Sequence, residues 1–334
     1  MFEFIKNVKD KIDKKNKQII FLIAFFSVFV GILVWAIISS PETSDIDFVF
    51  PEKFIIIVLP DTQKYSEEYP DIFTLQTKWI RDNIDNKNII FVSHLGDIVD
   101  NWDSEFQWKN AKQGMSILDN KVAYGISAGN HDMSNKRELD YFNQYFPFFE
   151  ISNQNYPNGK SNNNYQLFSV ANNDFIIFHL EYCPEADVLE WANSIFKKYP
   201  NKRAIITTHG YLSESAKRDV HTSAGKMGGC TAESNNTQYI WDNLIYKNKN
   251  IFLVLSGHVH SEAQRTDNNI FGMPVHQLLA DYQSRENGGN GWLRVLEFFP
   301  SEDKIYVKTY SPYLNQYEID EDSDFILDYD MTGE

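Results

Sequence analysis

The sequence predicts an α/β fold preceded by one N-terminal transmembrane helix. Short apolar runs rich in Ile, Val and Phe recur along the chain, and amphipathic segments with helical spacing lie between several of them. Runs that are apolar throughout are typical of strands buried on both faces. Alternation of such strands with helices predicts that the helices pack outside the sheets. A separate uncharged run near the N-terminus is long enough to cross a bilayer.

That N-terminal run, residues 19–38, contains no charge, and Ser27 is its only polar side chain. At about 1.5 Å per residue, a helix of this length covers the roughly 30 Å core of a bilayer. A cleaved signal peptide has a shorter apolar region of about 7–15 residues and ends in small residues, unlike the sequence Ala36-Ile37-Ile38. A buried core helix would show a polar face. The sequence therefore predicts an uncleaved membrane anchor over residues 19–39.

The charges on the two sides of the anchor predict its orientation. Lysines are frequent before the run and acidic residues follow it, and the lysine-rich side stays in the cytoplasm. We expect residues 1–18 to be cytoplasmic, residues 40–52 to be a linker, and residues 53–334 to form one extracytoplasmic domain of a single-pass protein of the cell membrane. In such a compartment Cys183 and Cys230 could form a disulfide, and two buried thiols are the open alternative.

The elements of the domain follow from the apolar runs and the helical spacings. Strands are predicted over residues 54–60, 88–92, 122–128, 174–182, 203–208 and 251–256, and helices over residues 72–84, 188–199 and 235–246. Further strands are predicted over residues 273–283, 292–300, 304–311 and 325–330. The asparagine-rich residues 153–164 predict a loop. Residues 288–291 predict a tight turn, with a substrate-contacting loop as the alternative.

Metal-binding residue types follow the ends of the early strands. The candidates are Asp61, Gln63, Asp97, Asn130, His209, His258 and His260. In open α/β sheets ligands bind at the carboxyl ends of strands, which is where these residues fall. Residues two apart in an extended chain point the same way, so Asp61 and Gln63 could share a metal, as could His258 and His260. Carboxylate, amide and imidazole groups together favour manganese, iron or zinc over metals that prefer thiolates.

The charge of the chain limits its partners. The formal net charge is -15 at pH 7, whereas proteins that bind duplex nucleic acid present basic faces to the phosphate backbone. The sequence therefore argues against a nucleic-acid partner. A metal site attracts phosphate locally, so the acidic balance is compatible with phosphoester substrates.

Five short motifs, in order, each stand at the end of a strand-like run. They are DTQ at 61–63, GDIVD at 96–100, GNHD at 129–132, THG at 208–210 and GHVH at 257–260. In these motifs the sequence resembles the calcineurin-like metallophosphoesterases over about residues 54–334. It looks closest to a bacterial branch with LPDTQ, here at 59–63. The resemblance implies a four-layer αββα sandwich of two mixed β-sheets flanked by helices.

The resemblance also implies roles for single residues. One metal would be bound by Asp61, Gln63, Asp97 and His260, and the other by Asp97, Asn130, His209 and His258, with Asp97 bridging. His131 would be the general acid that protonates the leaving group, and Asp100 would orient it. Gln63 stands where the family commonly has histidine. It is expected to bind metal directly, the alternative being a hydrogen bond to a metal-bound water.

The implied activity is hydrolysis of phosphomonoesters or phosphodiesters by two divalent metal ions with a bridging hydroxide. The partners expected are a phosphate-ester substrate and, through residues 19–39, the membrane. Envelope polymers, lipid headgroups and extracellular nucleotides are the substrate candidates. A degenerate protein that binds metal or phosphate without turnover, and an extracytoplasmic nuclease, are the rival functions. Tyr282 and Gln283 could touch substrate or simply fill a strand end.

Overall fold

The computed structural model describes most of the predicted domain. The described residues are 53–147, 154–157, 159–218 and 237–332, with Asn16, Val220 and Cys230. The chain divides into two units, Met1–Val49 and Phe50–Glu334. Apart from Asn16, the predicted cytoplasmic segment, anchor and linker (residues 1–18, 19–39 and 40–52) lie outside the described residues. Within the described residues, no helix combines the length and the apolar character needed to span a bilayer.

The second unit contains fourteen described strands. They are β1 Phe54–Leu59, β2 Ile89–His94, β3 Ala123–Ile126, β4 Gln154–Tyr156, β5 Asn163–Val170, β6 Asn173–Leu180, β7 Arg203–Gly210, β8 Ile251–Gly257, β9 Glu262–Asn268, β10 Pro274–Ala280, β11 Leu293–Phe299, β12 Lys304–Ser311, β13 Gln316–Glu318 and β14 Asp324–Asp328. Most of the central ones are rich in β-branched and aromatic residues, which fit a pleated, buried surface.

The described helices are short. They are α1 Gln63–Glu67, α2 Pro70–Asp82, α3 Ile84–Lys87, α4 Glu105–Met115, α5 Asp140–Tyr145, α6 Ala186–Lys198 and α7 Gln238–Ile240, which continues as a π-helical turn, Trp241–Ile245. Two 3₁₀ turns, Ser116–Leu118 and Pro300–Glu302, complete the set. The segment Glu286–Gly289 is a tight turn rather than a regular helix, because Asn287 and Gly288 have φ of 53° and 71°. The turn predicted at residues 288–291 is thus confirmed.

The strands form two mixed seven-stranded sheets. In the first sheet the order is β13-β12-β11-β1-β2-β3, with β14 also paired to β12. Its β1, β2 and β3 are parallel to one another. In the second sheet the order is β4-β5-β6-β7-β8-β10-β9, and β6, β7, β8 and β10 run parallel. The parallel strands bring their carboxyl ends to one edge of each sheet.

Alternate side chains of the central strands enter different hydrophobic cores. In β1, Ile55 and Ile57 pack in a core with residues of α2 and α4, such as Phe73. Phe54 and Ile56 face the other way and pack in a core with residues of the second sheet, such as Phe175. A third core lies between the second sheet and α6 and α7. The two sheets thus lie face to face with helices on their outer sides, as predicted.

The structure also corrects and completes the sequence analysis. The loop predicted at residues 153–164 is wrong in part, because β4 lies within it and β5 begins at Asn163. Both strands use asparagine side chains that carry no apolar signal, so composition alone indicated a loop. Helix α4, where Ser104 caps the first turn by accepting a hydrogen bond from the Gln107 N–H, was not predicted. Cys183 and Cys230 form a disulfide with Cα atoms 5.5 Å apart.

Candidate metal centre

The carboxyl ends of strands from both sheets meet at one edge, and the predicted ligands lie there. Asp61 and Gln63 follow β1, Asp97 follows β2, and Asn130 follows β3, all from the first sheet. The second sheet contributes residues of β7 and of the turn after β8, which are His209, His258 and His260. A site at the carboxyl ends of parallel strands is the arrangement that this fold class favours.

His209 lies at the centre of the tightest group of ligand atoms. With Nδ1 protonated, it donates a hydrogen bond to the Leu95 carbonyl oxygen at 3.1 Å, so that Nε2 carries the lone pair. That Nε2 atom is 3.1 Å from Asp97 Oδ2 and 3.1 Å from Asn130 Oδ1. His258 Nδ1 is 3.2 Å away from it. Two oxygen and two nitrogen atoms that can bind a metal therefore converge, and a cation is a group that all four could coordinate.

A divalent metal fits this group by distance as well as by chemistry. Ligand atoms of Asp97, His209 and His258 all lie within 4.8 Å of one another. One carboxylate and two imidazoles form a donor set that suits zinc, iron or manganese. Asp97, His209, Asn130 and His258 are thus brought together as the residues that would hold the second metal.

The other predicted metal position is built from Asp61 and Gln63. Asp61 is buried and accepts hydrogen bonds from the His258 main-chain N–H at 3.2 Å and from Gln283 Nε2 at 3.3 Å. Gln63 Nε2 donates to Gln283 Oε1. Its Oε1 atom is buried and has no hydrogen-bond partner among the described residues. A buried amide oxygen without a donor is costly, and a metal ion at this position would remove that cost.

His260 is placed differently from the other predicted ligands. Its side chain is 53% exposed, and its Nε2 atom lies 4.0 Å from Asp281 Oδ2. It does not belong to the close group of Asp97, His209 and His258. His260 thus lies at the rim of the centre, beside the Asp61 side.

Two glycines allow the close approach of the loops that carry the ligands. A Cβ atom on Gly129 would lie 2.1 Å from Asp97 Oδ1, and one on Gly257 would lie 2.1 Å from Asp61 Oδ1. Asp97 and His258 themselves have positive φ, 46° and 73°. Non-glycine residues rarely adopt this conformation, and such strain clusters at functional sites.

His131 lies beside the metal group and is held by two hydrogen bonds. Its main-chain N–H donates to Asp97 Oδ1 at 2.8 Å. Its ring Nδ1 donates to the main-chain oxygen of Asp100 at 2.7 Å, whereas the Asp100 carboxylate is 3.9 Å from the ring. That carboxylate instead pairs with Lys64 Nζ at 3.1 Å. The predicted orienting residue is therefore in place, but the contact is made by its main chain.

The pKa values of the two carboxyl groups of the centre are shifted in opposite directions. Burial raises the pKa of the Asp97 carboxyl, but attraction to His209 and neighbouring imidazoles outweighs it and lowers that pKa to about 2. The pKa of Asp61 is raised well above its usual value by burial, then by Asp281 and Asp97. Burial and the nearby His209 lower the pKa of His258 to about 3, which keeps the imidazole neutral. A metal requires deprotonated ligands, and the ionised Asp97 and the neutral His258 meet this requirement.

A family model described as calcineurin-like phosphoesterase matches residues 54–262. The chain belongs to the calcineurin-like phosphoesterase family. The Bacillus subtilis (strain 168) protein YvnB is 37% identical to it over 283 residues, which are 80% of this chain and 21% of YvnB. The chain thus spans about a fifth of the length of that relative.

Among solved structures, this chain is similar to the purple acid phosphatase PPD1 from seeds of yellow lupin (Lupinus luteus). The TM-score is 0.52 at 15% identity, and the match covers 84% of this chain and 55% of the lupin chain. At this identity the likeness shows a shared fold.

The candidate metal centre contains residues that the sequence analysis did not include. Asp132, the last residue of the GNHD motif, accepts hydrogen bonds from the main-chain N–H groups of Gly129 at 2.8 Å and Ile98 at 2.9 Å. It thereby joins the loops after β2 and β3. The Tyr182 hydroxyl lies 3.3 Å from His258 Nε2. Asp132 belongs to a quoted motif and Tyr182 ends the predicted strand at residues 174–182, so these positions were the available signal.

Proposed function

We propose that this unit hydrolyses phosphate monoesters or diesters at a centre of two divalent metal ions. The observation that carries the proposal is the convergence of Asp97, His209, His258 and Asn130 around one point, with His131 beside it. When bound, two metals supply a nucleophile at neutral pH and neutralise charge on the phosphoryl oxygens. Asp97, whose carboxylate lies 3.1 Å from His209 Nε2, would be shared between the two ions.

The chain's own residues would divide the remaining tasks. Asp61, Gln63, Asp97 and His260 would hold one ion, and Asp97, Asn130, His209 and His258 the other. His131 donates its Nδ1–H to the Asp100 main-chain oxygen, which leaves Nε2 to carry the proton for the leaving oxygen. A histidine in this position provides general acid catalysis, worth about 10²–10⁴-fold in rate.

We also propose that the reaction takes place at the outer face of the cytoplasmic membrane. The uncharged run at residues 19–38, with lysines before it and acidic residues after it, supports this placement. The disulfide between Cys183 and Cys230 supports it independently, because disulfides persist in oxidising compartments outside the cytoplasm.

The test is substitution of the shared carboxylate in the full-length protein, purified in mild detergent. Asp97→Asn is expected to lower the rate of hydrolysis of mono- and diester substrates by at least about 100-fold. This loss is larger than is usual for residues that contact a metal ligand but not the metal. Elemental analysis is expected to show loss of bound metal as well. Asp82→Asn, at an exposed position in α2, is the matched control and should keep both properties. A fully metallated and active Asp97→Asn variant would overturn the two-metal proposal.

A further inference from the structure

The segment after β10 reaches the Asp61 side of the metal centre. Asp281 and Gln283 follow the strand directly and are almost fully buried, at 2% and 7% exposure. Neither carries a hydrophobic side chain that would explain its burial. Their polar atoms are instead engaged with one another and with two predicted metal ligands.

Hydrogen bonds fix the orientation of the Gln283 amide. Its Nε2 atom lies between two carboxylates and donates to Asp281 Oδ2 at 3.1 Å and to Asp61 Oδ2 at 3.3 Å. Its main-chain N–H donates to Asp281 Oδ1 at 2.9 Å. Since carboxylates accept and an amide nitrogen donates, this arrangement leaves Gln283 Oε1 as the acceptor for Gln63 Nε2.

The orientation of Gln283 in turn fixes that of Gln63. Because the Gln63 amino group is directed to Gln283, its oxygen faces away from Gln283. That oxygen is the buried atom without a partner among the described residues. The chain of contacts from Asp281 through Gln283 thus selects which atom of Gln63 is offered to a metal ion.

The glycine-rich turn of the same segment holds the helix that begins with Gln63. The Gly291 main-chain N–H donates to the Tyr65 hydroxyl at 2.9 Å. A Cβ atom on Gly288 would lie 2.7 Å from Lys64 Cβ, and one on Gly289 would lie 2.6 Å from the Tyr65 hydroxyl. Residues 288–291 therefore pack against α1 at a distance that side chains at Gly288 and Gly289 would prevent.

We propose that Asp281 and Gln283 are positioning residues that set the amide of Gln63 and the carboxylate of Asp61 for the first metal ion. This inference rests on the proposed metal centre. It gives the segment of residues 281–291 one role: its first residues orient the ligand side chains, and its turn fixes the helix that carries Gln63.

The experiment measures metal affinity rather than activity. Full-length protein in detergent, stripped of metal, is titrated calorimetrically with Mn²⁺. Gln283→Met keeps the length of the side chain and removes its amide. It is expected to weaken the Mn²⁺ affinity of one site by about 10–100-fold, the usual effect of losing a residue that hydrogen-bonds to a metal ligand, and to change the affinity of the other site by less than about twofold. Gln76→Met makes the same change at a buried glutamine of α2 and should leave both affinities as in the wild type.

A double substitution tests whether Gln283 acts through Gln63. If it does, Gln63→Ala combined with Gln283→Met weakens the site by less than the product of the two single losses, because the two residues act as a unit and only the contact of Gln283 with Asp61 remains to be lost. Losses that multiply, or unchanged affinities in Gln283→Met, would overturn the inference.

Asp281→Asn, which keeps the size of the side chain, is expected to weaken the same site, and circular dichroism verifies that each variant is folded. If wild-type protein binds Mn²⁺ but hydrolyses no phosphate ester, the proposed function fails while the positioning role stands.

Discussion

His131 lies beside the candidate metal centre, and one of its two ring nitrogens already has a partner. Nδ1 is used in the bond to the Asp100 main chain, and the side chain keeps 26% exposure. This arrangement predicts a proton donor whose loss leaves the metals in place, because the ring itself is not among the close ligand atoms.

We predict that His131→Ala retains both metals and loses rate according to the leaving group. With alkyl esters, whose leaving oxygen needs a proton, the loss is expected to be about 10²–10⁴-fold. With p-nitrophenyl esters, which leave without help, it is expected to be small. Steady-state kinetics on both substrates and elemental analysis provide the measurement. His276→Ala, in β10, is the control, and equal losses on the two substrates would show that His131 binds substrate instead.

Gln63 gives a second prediction, because its amide oxygen is a harder and weaker donor than an imidazole nitrogen. We predict that Gln63→His tightens the weaker metal site and shifts its preference from manganese toward zinc. Gln63→Ala is expected to weaken the same site. Calorimetric titration of each variant with Mn²⁺ and Zn²⁺ resolves the two sites. Unchanged affinities in both variants would mean that Gln63 bonds only to a metal-bound water or to protein.

The sequence could predict side chains at strand ends but not contacts between distant segments. Asp97 and His209 were predicted because each ends an apolar run, and the structure places them 3.1 Å apart. Gln283 follows such a run as well, yet its partner Gln63 is 220 residues away along the chain. No local pattern indicates which two polar residues will meet. The main-chain contact of Asp100 was missed for a related reason, since a motif specifies side chains only.

At the scale of elements, the sequence pattern predicted the apolar strands well and the polar strands poorly. Residues 54–60 and 251–256 were predicted within a residue of β1 and β8, because β1 is apolar throughout and β8 begins with five apolar residues. By contrast, β4 is polar and short, so its pairing with β5 depends on the fold rather than on its own composition. Of the predicted helix at residues 235–246, the described residues 238–245 are helical, but residues 241–245 form a π-helical turn that the spacing of apolar residues does not reveal.

Strand β6 carries a buried histidine that makes the fold sensitive to acid. His179 Nε2 contacts Ser93 Oγ of β2 at 3.0 Å across the two sheets. Burial, and then the nearby His94, lower the pKa of His179 to about 3. Its unfolded pKa is about 6.5, so the unfolded chain binds more protons below pH 6.5. The contribution of His179 to stability is therefore fully present above pH 6.5 and is lost as the pH falls toward 3.

We predict that His179 accounts for about 1.4 kcal/mol of unfolding free energy per pH unit between about pH 4 and 6, the value for one proton. In His179→Asn this slope is expected to be smaller by that amount. Ser93→Ala removes the hydroxyl and keeps the imidazole, so it should retain the wild-type slope. Urea unfolding at a series of pH values gives the measurement, and equal slopes in wild type and His179→Asn would contradict the prediction.

At the scale of the whole molecule, the proposed placement outside the cytoplasm predicts how intact cells respond to protease. External protease is expected to remove the unit Phe50–Glu334 from the cell surface, while a tag fused before residue 1 stays protected. Lysed cells are the control, in which both parts become accessible. Protection of the unit Phe50–Glu334 until lysis would show that the orientation predicted for residues 19–39 is wrong. Immunoblots against the tag and the unit give the measurement.

The origin of the ligands in both sheets has a consequence for the folded state itself. Asp61 and Asp97 extend from the first sheet, and His209 and His258 from the second. An ion held by both groups would connect the two sheets at this edge, so metal binding and unfolding would be thermodynamically linked. At a free metal concentration 100 times the dissociation constant, this linkage adds about 2.7 kcal/mol to the unfolding free energy. A chelator would thus lower the stability of the fold as well as remove the ions proposed for catalysis. The melting temperature measured with different metals would then show which metal the protein binds most tightly, before any substrate is known.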